Sequence, residues 1–423
     1  MWEKFSRIWH IKDLRSRILF VLFMLVVFRF AAHIPVPGVN TENLKQFLEG
    51  NQVLGLMNIF SGGTMENFSV VMLGVTPYIT ASIIFQLLAM IVPRLEELTK
   101  EGESGQQKIN MYTRWSTIPL ALLQAYGMIK LLSQSQYNIM GTLDAYKYVS
   151  IMITITAGTV LLMWIGELIT EKNVGNGVSL LIFAGIVASL PTVVQNVFIN
   201  YNPSQLFTYL LFVALALVTI VGVVIITEGQ RNIPVSYAKQ IRGSRTFGGT
   251  TSHLPLRVNM AGVIPIIFAI SLILFPPMIA QFFVNGSGFS ARAALFVVNV
   301  FNNQLIYAIM YFVLVFGFTY FYTAVIFHPQ KIAENLQRQG GFIPGIRPGK
   351  ETEKYLQKVV SRLLLSGALF LGLIAILPLI VQAFTGIQSL AIGGTSLLIV
   401  VSVAIETAKQ IEAQLKMHEY DRV

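Results

Sequence analysis

Ten predominantly apolar stretches, each long enough for a membrane crossing, start near residues 18, 75, 116, 150, 178, 206, 258, 303, 360 and 387. About twenty helical residues rise roughly 30 Å, the thickness of a bilayer's hydrocarbon core. No water satisfies peptide groups there, so only helices and closed barrels cross. Apolar runs of this length predict an all-α polytopic membrane protein with ten transmembrane helices. Charge agrees with this: 12% of the 423 residues are charged, against about 25% in soluble domains.

The cations orient the spans. Of the 30 Lys and Arg residues, 25 fall in segments 1–17, 93–114, 167–176, 228–257, 328–362 and 409–423, all on one side if the spans alternate. The outer connections hold only Lys45, Lys147 and Arg292, and Arg29 and Lys130 lie in spans towards their outer ends. Basic residues accumulate on the cytoplasmic side, so both termini are expected there. The first run, Ile18 to Phe28, follows a basic segment as a secretory signal would. RFAAHIPVPG stands where a small-residue cleavage site belongs, so the run reads as an uncleaved span.

The formal charge of +10 is then mostly topology, with a surplus in two long cytoplasmic loops, 228–257 and 328–362. Such loops either touch anionic lipid or dock a cytosolic partner. The second contains PGIRPG, Pro344 to Gly349. Proline fixes φ and glycine permits turns that other residues avoid, so the hexapeptide is a shaped loop presenting Arg347, or else a connector between spans.

Two strings recur. GVTPYI (Gly74 to Ile79) returns as GVIPII (Gly262 to Ile267), and GVSLLI (Gly177 to Ile182) returns as GTSLLI (Gly394 to Ile399). They open spans 2 and 7 and spans 5 and 10, in each case five crossings apart. An odd displacement inverts the second copy, which predicts two inverted five-helix halves, residues 1–205 and 206–423, around a central pore. The offsets are 188 and 217 residues, so the second half holds 29 extra residues in the interval that contains PGIRPG. Ile79 pairs with Ile267 and Ile182 with Ile399, while Ile83 and Ile186 follow at i+4 on the same helix faces. Equivalent residues of inverted copies can meet near the midplane; each isoleucine alone could equally be packing or lipid-facing. Pro77 and Pro265, two residues earlier, suggest a bend and a freed carbonyl tolerated beside protein or a cavity.

Between spans 1 and 2, GLMNIFSGGTMENFSVVML is apolar, broken at Gly62-Gly63, polar, then apolar again. It reads as a re-entrant element buried in protein, or as an interfacial helix on the outer surface.

Enzyme chemistry lacks its parts. His10, His33, His253, His328 and His418 lie at loops or span ends, with no HExxH or GxxxxGK[ST], and cysteine is absent. No cofactor or metal is expected. Glu167, Glu228 and Glu406 fall near cytoplasmic ends and form no mid-membrane relay, and Gln86 and Gln124 suit interhelical hydrogen bonds. An apolar path without an energy-coupling motif suggests a passive conduit driven from outside. A small-solute carrier would need a polar site at mid-depth, and a scaffold would conduct nothing.

FSGGT, GVTPYITASIIFQLL, GNGVSLLIFAGIVASLP, YAK followed by SHLPLRVNMAGVIP, GFIPGIRPG and GGTSLLI together resemble the SecY family, the channel subunits of the bacterial Sec protein translocase, over nearly all ten spans. The resemblance implies a clamshell around an hourglass pore whose waist is Ile79, Ile83, Ile182, Ile186, Ile267 and Ile399. It implies a plug from about Leu56 to Val70 that includes Leu56, Met57, Ile59, Phe60, Ser61, Gly62 and Gly63. Spans 2 and 7 would form a lateral gate, with Ile84, Gln86, Leu87, Ile270, Leu274 and Phe275, through which signal sequences and membrane segments reach the lipid bilayer. Arg347, Lys239, Arg242, Arg245 and Lys350 would dock the motor ATPase SecA or the ribosome. SecE and usually SecG would complete the complex, which would carry secretory precursor polypeptides across the bacterial cytoplasmic membrane. Many members carry adjacent basic residues where this chain reads Gly243-Ser244-Arg245, which sets the ribosome-contact role of that loop apart from Arg347's.

A waist of branched apolar side chains suits such cargo. Its contacts are non-directional and area-dependent, so it seals around a moving chain without selecting a sequence.

Overall fold

A helix overlies each of the ten apolar runs. The computed structural model describes residues 9–49, 54, 58, 61–133, 139–140, 144–199, 206–237, 240–242, 245–247, 251–281, 283–284, 286, 288–385 and 388–420. In chain order the first half holds α1 (Lys12–Ala32), α2 (Thr41–Glu49), α3 (Thr76–Ile91), α4 (Pro93–Lys100), α5 (Glu103–Ser133), α6 (Ala145–Glu171) and α7 (Gly177–Ile199). Next come α8 (Leu206–Glu228), β1 (Gln230–Tyr237), β2 (Gln240–Arg242), β3 (Arg245–Phe247), β4 (Thr251–Arg257), α9 (Ile264–Gln281), α10 (Phe289–Asn302) and α11 (Gln304–Ile326). The chain continues through α12 (Pro329–Arg338), β5 (Gly341–Phe342), α13 (Lys350–Thr385) and α14 (Gln388–Tyr420).

Among the described residues, three helical stretches are long and apolar enough to cross a membrane by length and composition alone: Ala145–Glu171, Gln304–Arg338 and Lys350–Ala383. A fourth is the pair α3 and α4, bent by 99°. Pro93 causes the bend: it disfavours helical backbone at Val92, which is extended, and restarts a helix from its own first position. Pro119, Pro191, Pro276, Pro277 and Pro378 lie inside helices that nonetheless continue, as packed neighbours permit. Pro77 and Pro265 differ from expectation. Both stand in the first turn of their helices, where no intrahelical N–H bond is lost, so neither needs a bend or a freed carbonyl.

The packing has three parts. The largest apolar cluster joins α1, α3, α6 and α7 to α9, α11, α13 and α14. A second gathers α2, the 65–73 segment, the C-terminal end of α5 and the N-terminal end of α6. The third lies in the two long loops and arises from a feature that the spans do not predict. β1 pairs antiparallel with β4, from Gln230↔Arg257 to Ser236↔Thr251, and its far end pairs with β5 through Ser236↔Phe342 and Tyr237↔Gly341. The two long loops therefore share one three-stranded sheet. Ile233, Val235 and Leu256 from the first loop pack with Ile343, Leu356, Val359 and Val360 from the second. β5 reaches only the end of β1, so Pro234 sits where β1 has a single strand neighbour, a position that tolerates a missing donor.

Candidate functional site

The first repeated string forms matching corners. Gly74 and Gly262 both adopt positive φ, +59° and +64°, just before α3 and α9 begin. A Cβ at Gly74 would stand 3.1 Å from the Cα of Ser61. A Cβ at Gly177 would overlap the carbonyl oxygen of Gly166, so the start of α7 touches the α6 backbone. Glycine serves both as a turn and as a close backbone contact.

The return of the second string, Gly394 to Ile399, lies inside α14 and makes no corner. Ile79 and Ile83 sit on α3, Ile182 and Ile186 on α7, Ile267 on α9 and Ile399 on α14. All six are buried in one contiguous apolar cluster. The same cluster includes Leu398, Val263 and Val71, which the repeat did not single out.

The segment between spans 1 and 2 is described from Ser61 onwards. Leu56, Met57, Ile59 and Phe60 lie outside the described residues. Residues 61–75 run as successive turns, and Ser61, Thr64, Met65, Phe68, Ser69, Val71, Met72 and Leu73 are buried. Buried irregular backbone needs internal partners. Thr64 Oγ1 donates to the carbonyl of Ser61 at 3.0 Å or of Met72 at 3.2 Å. Val36 N donates to Phe68 O at 2.9 Å, and Val70 N donates to Ile34 O at 3.0 Å. Lys45 on α2 pairs with Glu66 at 3.0 Å. Gly62 and Gly63 take φ of +79° and +75°. Gly62 is wedged in: a Cβ there would lie 3.2 Å from the Phe28 ring of α1 and 2.8 Å from the Cα of Gly185 on α7. Gly158 of α6 meets the far end of the segment, where a Cβ would overlap Val70 O. Gly158 and Gly185 were missed by sequence reasoning; a lone glycine within an apolar helix was the available signal.

α3 and α9 pack side by side. Of the expected gate residues, Ile84 is exposed, Gln86, Leu87 and Phe275 are half-buried, and Ile270 and Leu274 are buried. Gln86 departs from expectation, since its amide donates to Ser82 Oγ of its own helix at 3.1 Å. A hydroxyl one turn away is simply the nearer acceptor.

In the second long loop the hexapeptide is a held turn. Ile346 N donates to Ile343 O at 3.0 Å, Gly345 and Gly349 adopt φ of +80° and +98°, and the buried Thr352 hydroxyl donates to Arg347 O at 3.0 Å. The Arg347 and Lys350 side chains are exposed. Lys239 lies outside the described residues, while Arg242 and Arg245 oppose each other in the β2–β3 ladder.

The family model for SecY matches residues 69–408. The chain is 45% identical over 430 residues to a protein translocase subunit SecY of Halalkalibacterium halodurans, covering 99% of each. Its fold is similar to a solved protein conducting channel, with TM-score 0.66 at 17% identity over 93% of this chain and 91% of that one. It is also similar to Sec61 in the canine ribosome-channel complex from the endoplasmic reticulum, with TM-score 0.64 at 16% identity over 93% and 91%.

Proposed function

The chain belongs to the SecY family, and on that premise we propose that it is a protein-conducting channel that passes unfolded secretory polypeptides across the cytoplasmic membrane and releases membrane segments sideways into lipid. The observation that carries this reading is the burial of six isoleucines from α3, α7, α9 and α14 within one contiguous apolar cluster, beside a loop of buried irregular backbone. Such a waist excludes water and ions when closed, and it offers no hydrogen bond that would hold one sequence in passage.

In this reading residues 1–205 and 206–423 are the two halves of the clamshell. The loop through Ser61, Gly62 and Gly63 is the plug, and the α3–α9 contact is the lateral gate. Both termini and the three-stranded sheet face the cytoplasm. Energy comes from outside the chain, from the motor SecA or a translating ribosome, which dock on the sheet and the Arg347 turn; SecE and SecG complete the assembly. The prolines and the hydrogen bonds that already hold the Arg347 turn limit the ordering lost on docking, and its guanidinium offers a planar fork of donors to a carboxylate or to carbonyls.

The test is reconstitution of the assembled complex into proteoliposomes with the motor and a secretory precursor. Precursor protected from protease only when the complex and ATP are both present supports the reading. Absence of protection, in vesicles shown to hold inserted complex and active motor, rejects it.

A further inference from the structure

An arginine inside an apolar span demands a partner, because water is scarce there and the guanidinium never deprotonates. Arg29, in the last turn of α1, is such a residue. Its backbone carbonyl lies 2.7 Å from His33 Nδ1, while its side chain turns away and Nη1 donates to Gly62 O at 2.9 Å. The acceptor is the carbonyl of the first of two consecutive glycines in left-handed backbone. The preceding residue, Phe28, sets its ring against the same glycine, and Gly185 of α7 meets it with backbone. The end of α1 therefore supplies both a wall and a charged donor to one peptide unit of the loop.

We propose that Arg29 is the latch of the resting channel, a positioning residue that holds the plug loop shut through the Gly62 carbonyl and must release it before a polypeptide passes. This rests on the plug reading above. The other role open to a cation at this place is to complement the negative end of its own helix. That role would be satisfied without reaching another segment, whereas this side chain spans 33 residues of sequence to bond a loop carbonyl. The acceptor belongs to the backbone, so side-chain changes in the loop leave it in place and only the donor can be removed cleanly.

The experiment records resting conductance of the reconstituted complex with Arg29→Met and Arg29→Lys, in the full chain and in a chain lacking residues 56–70. In the full chain Arg29→Met raises the frequency of resting openings roughly tenfold or more, as loss of one charged hydrogen bond implies, and admits precursors with defective signals. Arg29→Lys, which keeps a charged donor, lies between. In the shortened chain, which itself leaks, neither substitution adds anything.

Background leak from Arg29→Met, while the shortened chain leaks, overturns the latch and leaves the plug standing. Equal added leak in both backgrounds, or failure of both variants to assemble, assigns Arg29 to the bundle and also overturns it. A shortened chain that stays tight removes the plug reading and the latch with it.

Discussion

A Cβ placed on Gly185 would overlap the Cα of Gly62, and one on Gly62 would lie 2.8 Å from the Cα of Gly185. The span and the loop thus meet backbone to backbone, closer than any side chain allows. This sets two effects of Gly185→Ala against each other. Alanine favours helix over glycine by about 1 kcal/mol, so α7 itself gains, while the added methyl forces the loop away. The expected outcome is normal abundance with raised resting conductance in planar bilayers. Unchanged conductance would mean that the loop does not seal the path.

Replacing Ile79, Ile182 or Ile399 with Asn puts an amide into a dry apolar cluster, at a cost of roughly 1–3 kcal/mol to the closed packing. Each variant is expected to leak at rest and to accept precursors with defective signal sequences. Ion-flux and signal-stringency assays that show no change for all three would remove them from the waist.

Much of this architecture is legible in sequence, because apolar runs and repeated strings are local. Gly74 and Gly262 share one backbone conformation as the repeat implies, and helices overlie the ten runs. Contacts between distant backbones leave no such trace. β5 is two residues long, Gly341–Phe342, too short for any alternation, yet it joins the two long loops. The seat of Gly62 against Gly185 depends on the approach of two elements with no pattern in common. Arg29 stood out as a charge in a span, but its acceptor is a carbonyl, which every residue possesses. Pro77 and Pro265 were recognisable, and only their position within the first turn decides that they start helices and do not bend them.

The Arg347 turn separates docking from insertion. Arg347→Glu is expected to leave the complex inserted and assembled but to impair motor-driven secretion strongly, with Arg347→Lys milder because it keeps the charge, yet still defective because the planar fork is lost. Thr352→Val removes the hydroxyl that holds the Arg347 carbonyl and should weaken secretion without altering charge, through a looser turn. Precursor translocation at equal membrane abundance checks all three, and normal transport by the Glu variant would make the turn a connector.

The α3–α9 contact can be locked. The chain has no native cysteine, so cysteines scanned around Ile84 and Leu274 form a disulfide only where Cα atoms come within about 7 Å. A complex with the helices demonstrably joined should fail to release membrane segments into lipid and regain function on reduction. Full activity in the oxidised state would reject lateral opening at this seam.

The central claim is that a polypeptide passes through the isoleucine cluster, and the most direct measurement is photocrosslinking to a precursor arrested in transit. A photoreactive residue replaces Ile79, Ile182, Ile267 or Ile399, one at a time, with Ile153 on the exposed face of α6 as the comparison. The account predicts that all four inner positions crosslink to the same short stretch of the arrested chain, that Ile153 does not, and that all five are silent without precursor. Crosslinks from Ile153 with none from the inner four would place the path elsewhere and contradict it.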